Sequence, residues 1–293
     1  MPPRKHPTER QRRLGLELRK LREKAGVSGD QAADILDADR TRISNIEAGR
    51  LDVPRNRLYK LLRHYECQSG ALFDGIMDMA QESGKGWWDD FRDSAEPVAR
   101  DLAEMESRCQ RLWMHEPLFI PGMLQTEDYA RAVMRDADGD HEKDDRFVEF
   151  RMARQRVIRE EADIEYRAII HQAALHTPIG GPAVMRKQLL RLIEVARQPN
   201  VSVQIFPFEA GGYSAYSRSF VLIGSAVPSL GTVYLEHPVQ SLFVREEGAI
   251  SDYARMFEKL SGLALRPIDP ESRPESHTSR DSLGLIQHVM YTL

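Results

Sequence analysis

The stretch 28–49, SGDQAADILDADRTRISNIEAG, constrains the fold more than any other part of the chain. Ser28 and Gln31 have the spacing of a capping box, in which the hydroxyl and the amide each satisfy a backbone N–H. A short helix is expected from there through Leu36. Asp37-Ala-Asp39 then makes a turn, and Asp39 can cap a second helix over about Arg40–Ala48, with Gly49 as its C-terminal stop. Helices this short are marginal alone and must pack on something. Ala33 offers a small residue where the second helix can approach, and Ile43 and Ile46, three apart, anchor that helix inward. Arg40, Thr41, Arg42 and Asn45 are left on its outward side, with Ser44 at the margin.

Two short helices, a tight turn and polar residues at the exposed start of the second make a helix-turn-helix pattern. The flanks agree with it. Leu14, Leu18 and Leu21 mark a helix beginning at Glu9 and ending at Gly26. Pro54 opens another, with Leu58, Leu61, Leu62 and Tyr65 inward, and Leu72, Phe73, Ile76 and Met77 mark a fifth. The expectation is a five-helix bundle over residues 9–82 behind a disordered basic tail, 1–8. Arg42 and its neighbours suit a duplex: Arg can pair bidentately with guanine O6/N7 and Asn with adenine N6/N7. Arg40, Thr41, Arg42 and Asn45 are therefore expected to read bases. Ser28, Ser44 and Arg50 are expected at phosphates, which position a protein without reading sequence. Residues 1–66 carry 16 Lys/Arg against 10 Asp/Glu, so the rest of a chain of net charge −4 carries −10. A basic head on an acidic body fits a polyanion partner or a solvated tail.

At about 100–200 residues per domain, 293 residues favour two domains. Gly84-Lys-Gly86 and Trp87-Trp88 mark a boundary, and the tryptophans are candidates to bridge the two parts. A mostly helical region is expected to about Glu161. Ile164, Tyr166, Ala168 and Ile170 then alternate as a strand, Pro182 opens a helix, and Val201, Val203 and Ile205 alternate again. Strand, helix and strand with short links read as a βαβ crossover. Further strands are expected at Ser219–Gly224, Thr232–Glu236 and Ser241–Arg245, with a helix at about Ile250–Leu263. The fold class is thus an α head plus an α/β C-terminal domain over 83–265, with a mixed sheet and flanking helices. Residues 266–293 read as a linker and a short C-terminal helix capped by Asp281.

No catalytic set emerges, and an enzyme is not expected. Cys67 and Cys109 lie far apart with no CxxC, and no His or carboxylate cluster has metal-ligand spacing, so no metal or cofactor is expected. His171 reads as a structural histidine at a strand end. Gly211, Gly212, Tyr213 and Tyr216 form a loop that either receives a ligand or partner or is a plain turn; it lacks phosphate-loop spacing. Gly180-Gly181 is either an anion site or a plain helix start. No apolar run reaches membrane-spanning length and the basic N-terminus has no apolar segment behind it, so a cytoplasmic protein, nucleoid-associated when on DNA, is expected.

DRTRISNIEAGR resembles the recognition helix of the Xre/Cro-repressor class, where Glu47 matches an acidic position. The residue reads as a salt bridge orienting the helices or a cap on a neighbouring turn, rather than a base contact. Two positions depart from the pattern: Asp37 stands where Gly is usual, and Gly29 where Gln often touches a phosphate. EPLFIPGMLQTEDYARAVM, RMARQRVI, IGGPAVMRKQLLRLIEVARQPNVSVQIFPFEAGG and VYLEH extend the resemblance to the WhiJ-type regulators of actinomycetes. It implies an antitoxin-like regulator of double-stranded DNA, with a small partner protein encoded nearby. Paired half-sites imply a homodimer. The alternative is a regulator whose α/β domain senses a small molecule.

Overall fold

The structure, a computed structural model, describes residues 3–135, 141–159, 162–211, 218–237, 239–271 and 280–293. The head consists of α1 Glu9–Lys24, α2 Gly29–Ile35, α3 Arg40–Glu47, α4 Arg55–His64 and α5 Ala71–Gln81. Local chemistry sets these limits. Thr8 and Gln11 form a capping box on α1, and Ser28 and Gln31 form another on α2, at 3.1 and 2.7 Å. Gly26 and Gly49 end α1 and α3 at φ +67° and +72°, which glycine adopts without a Cβ penalty. Leu14, Leu18, Leu21, Ile43, Ile46, Leu58, Leu61, Leu62 and Ile76 close the core. Residues 3–8, expected as a tail, lie against the head where described: the Arg4 N–H donates to the Arg50 carbonyl at 2.9 Å, and its guanidinium pairs with Asp52.

The body contains α6 Pro97–Glu106, β1 Arg111–Glu116, α7 Glu127–Arg135, α8 His141–Arg154, β2 Glu165–His171, α9 Gln172–His176, α10 Pro182–Val195, β3 Val201–Phe206, β4 Phe220–Gly224, β5 Thr232–Leu235, β6 Leu242–Val244, α11 Glu247–Leu263 and α12 Ser282–Thr292. Six strands form one sheet in the order β3-β2-β1-β4-β5-β6. The first three are parallel and the rest antiparallel, so the sheet is mixed as expected, and β2, α10 and β3 form the crossover. One face, including Leu112, Met114, Tyr166 and Ile205, packs on α10 and α12 through Leu189, Leu192, Leu285 and Ile286. The other, including Trp113, Ile169 and Val233, packs on α11 through Phe257 and Leu260. Full burial of an aliphatic or aromatic side chain contributes roughly 1.5–3 kcal/mol.

Three further features differ from expectation. β1 lies in the region read as helical. It is third in a sheet covered on both faces, so Leu112-Trp-Met-His115 is buried continuously and shows no alternation. The tryptophan pair packs within the body: Trp88 is buried with Ala103 of α6 and Phe150 of α8, and Trp87 lies against Phe150. The expected short helix capped by Asp281 is present as α12, but the segment belongs to the body: Ile268 donates to the Val203 carbonyl at 2.8 Å, and Leu283, Leu285, Ile286 and Val289 seat α12 in the main core.

Candidate nucleic-acid interface

The outward face of α3 is built by its neighbours. Ala33 on α2, 3% exposed, lets the second helix approach, and Ile43 and Ile46 seat α3 in the head core. Between the helices Asp37 takes φ +49°, the left-handed conformation that Asp tolerates at some cost. Asp39 Oδ1 then accepts from the Arg42 N–H at 2.7 Å and starts α3. Arg40, Thr41 and Ser44 are exposed, and Arg42 and Asn45 half-buried. The Arg42 Nε is buried with no hydrogen-bond partner among the described residues.

Gly29 lies beside the Arg40 side chain. A Cβ there would make only ordinary contact with the Arg40 side chain, at 3.5 Å, so the packing does not require glycine at this position. Arg40 reaches Asp30 at 3.5 Å, with both side chains more than two-thirds exposed. Such a pair contributes little. Ser28 Oγ accepts the Gln31 N–H and keeps its own proton to donate. Arg50 is exposed just beyond α3, where its N–H donates to the Asn45 carbonyl at 2.8 Å.

Behind α3, Glu47 takes Arg22 of α1 bidentately, the second contact being 3.0 Å, while Arg22 also donates to the Val27 carbonyl at 2.9 Å. Of its two readings the structure places the salt bridge. Burial, then the nearby Glu47 charge, pushes the Tyr65 hydroxyl well above its ordinary value. The helices also touch directly. A Cβ on Gly15 would lie 2.4 Å from the Glu47 carbonyl oxygen, and one on Gly49 would lie 2.7 Å from the Gln11 backbone.

Elsewhere the predicted candidates separate. His171 caps α9 by accepting the Ala173 N–H at 3.2 Å, and burial draws its pKa down. Gly211 ends a turn after β3 at φ +80°, while Gly212, Tyr213 and Tyr216 lie outside the described residues. The Cys109 thiol lies 3.1 Å from the Glu106 carbonyl. Among the described residues, no group of three or more His, Cys, Asp or Glu could hold a metal ion, and no helix is long and apolar enough to cross a membrane.

Sequence reasoning missed the joint between head and body. Val227 and Leu230, on the turn between β4 and β5, are buried in the head's own core. A Cβ on Gly75 of α5 would lie 2.8 Å from Leu230 Cδ1. Arg13 of α1 is 1% exposed and donates to the carbonyls of Ser229 and Arg245, while Arg245 pairs with Glu9. Arg10 donates to Glu104 at 2.7 Å and to the Met79 carbonyl at 2.7 Å. Glu9, Arg13 and Glu17 follow one another at i, i+4 and are all buried. That stripe of charges beside the leucines was the available signal, and it reads equally as a solvated face.

A capped pair of short helices on a helical head, joined to a mixed α/β body, defines a helix-turn-helix protein with an appended domain. The comparisons agree. Residues 13–74 match a family model described as Helix-turn-helix domain, and residues 99–272 match one described as Domain of unknown function (DUF5753). The second match covers more than half of the chain, which therefore belongs to the DUF5753 family. No curated protein and no solved structure matches the chain.

Proposed function

We propose that this protein is a sequence-specific transcriptional regulator of the Xre and WhiJ type, acting by binding rather than catalysis. The carrying observation is α3: a capped helix fixed by Ile43 and Ile46, with Arg40, Thr41, Arg42 and Asn45 on its open side. In this reading Arg42 and Asn45 take base edges in the major groove, and Arg40 and Thr41 complete the reading face. Ser28, Ser44 and Arg50 take phosphates around it. Arg40 exchanges its exposed partner Asp30 for DNA at little cost. The protein works in the cytoplasm, on the nucleoid when bound, as a homodimer on paired half-sites. Its acidic body is antitoxin-like and receives a small partner protein encoded nearby.

Selection from a random DNA pool, followed by fluorescence anisotropy of the selected duplex across a salt series, tests the reading. A specific duplex is expected, with log affinity falling linearly in log salt. If no sequence is enriched, the head is a protein-interaction bundle and the proposal fails. A second reading, small-molecule sensing, has its own support in a cavity of about 360 Å³ at the head–body joint.

A further inference from the structure

We infer that the cavity at the head–body joint is an effector site for a small amphipathic cation, whose binding reaches the DNA-reading helix through α1. The inference rests on the reading above that the body controls a DNA-binding head. The cavity is walled by α1 and α5 of the head and by the end of α6 and the β4–β5 turn of the body. Its volume, about 360 Å³, falls in the range of small-molecule sites, about 300–1,000 Å³.

Its lining selects the chemistry. Met79, Met105, Ile223 and Val227 offer apolar surface for a ring or short hydrocarbon body. Arg10 and Arg108 are already answered: Arg10 by Glu104 at 2.7 Å and Glu82 at 3.6 Å, and Arg108 by Glu82 at 2.5 Å. Two carboxylates are left. Asp74 and Asp78, one helical turn apart on α5, are exposed and have no ion pair among the described residues. Arg13, only 1% exposed, is already held by the Ser229 and Arg245 carbonyls and by Glu17. The complementary molecule carries an ammonium for Asp74 and Asp78 and an apolar body for the methionines and Ile223.

The position makes the site regulatory. α1 carries Arg10 and Arg13 on the cavity, and its Gly15 meets the Glu47 carbonyl at the end of α3. No side chain lies between the backbones at that crossing to absorb a shift. Arg22, also on α1, holds Glu47. A ligand that displaces α1 therefore displaces α3, and by linkage DNA changes the ligand's affinity by the same factor.

The test uses the full chain and 4-methoxyphenethylamine as probe, with 4-methoxyphenylacetate and 4-methoxybenzyl alcohol as anionic and neutral counterparts. Binding is read by calorimetry, and DNA affinity by anisotropy at saturating amine. The amine is expected to bind at least tenfold more tightly than either counterpart. Asp74→Asn/Asp78→Asn, on exposed positions, should weaken it at least tenfold. Ala226→Trp, which fills the cavity from an exposed position, should abolish it, with thermal melting confirming that both variants fold. Amine should shift wild-type DNA affinity at least threefold and leave Ala226→Trp unmoved. Equal binding of the acetate, indifference to both variants, or binding of none of the three probes overturns the site. The expected binding profile with unmoved DNA affinity overturns the coupling through α1. The expected profile in a protein that binds no DNA supports the site and instead sinks the regulator reading.

Discussion

Arg42 and Asn45 carry the sharpest expectation at the scale of single residues. Replacing either with Ala should cost about 1–3 kcal/mol on the selected duplex and relax base preference at one position. Arg50→Ala should instead weaken all duplexes about equally, because a phosphate carries no sequence. Anisotropy against a panel of single-base variants separates the two; an Arg42/Asn45 double variant with unchanged operator affinity would remove the base-reading assignment. Glu47 belongs to a different class. Its side chain and that of Arg22 are 12% and 13% exposed, and neither faces the open side of α3. Glu47→Ala leaves a half-buried guanidinium short of its acceptor and should lower stability on the order of 2 kcal/mol in urea unfolding. Much of this was legible from sequence, because caps and anchors act within four residues of themselves. The exceptions are the pairs that cross helices, Arg40 with Asp30 and Glu47 with Arg22.

At the scale of elements, the crossing of α1 and α3 is the tightest in the head. Gly15→Ala puts a methyl where the Glu47 carbonyl stands, so the helices must separate. A loss of roughly 1–3 kcal/mol is expected from overpacking. The measurement is the urea midpoint, and a variant as stable as wild type would show that the crossing yields easily. The start of α1 also meets α6, where Asp101 accepts the Glu9 N–H at 3.3 Å. Burial, then the charge of Glu104, pushes the Asp101 carboxyl up to about 7, against Arg12 and Arg100. The unfolded carboxyl titrates at about 3.9. Between those values the folded chain holds a proton that the unfolded chain has lost, so stability falls as pH rises from about 4 to 7. Asp101→Asn should flatten that slope, read as urea midpoints at pH 5 and pH 7.5; parallel slopes for both proteins would refute it. Elements were legible where one face is wet. α1 to α5 show their periods in this way, whereas β1 and β2 are both covered on both faces; β2 alternates only because Glu165 and Arg167 interrupt its apolar run, and β1 shows no period.

On the scale of the whole molecule, head and body share a core. Val227 and Leu230 arrive in the head from a turn more than a hundred residues downstream, and no local pattern announces such a contact. The Ser-Ala-Val-Pro-Ser-Leu turn reads as a connection between strands, and only the folded body shows where it points. Leu230→Ala should cost about 2–5 kcal/mol, as for other large-to-small core changes. In scanning calorimetry the wild type should melt in one cooperative transition and the variant in two, the head first. A single transition at an unchanged temperature would show that the turn contributes nothing to the head.

The same turn has a consequence for synthesis. Domains generally fold as they emerge, at roughly 5–20 residues per second, so the head leaves the ribosome on the order of ten seconds before its last two core residues exist. During that interval the nascent head has an open apolar socket beside Gly75 and a bare Arg13 guanidinium. A chain that terminates early, or is cut between α5 and β4, would release a head in that unfinished state. The head's core is completed only once the chain has been made through Arg245, so products cut short before that point should be cleared by quality control.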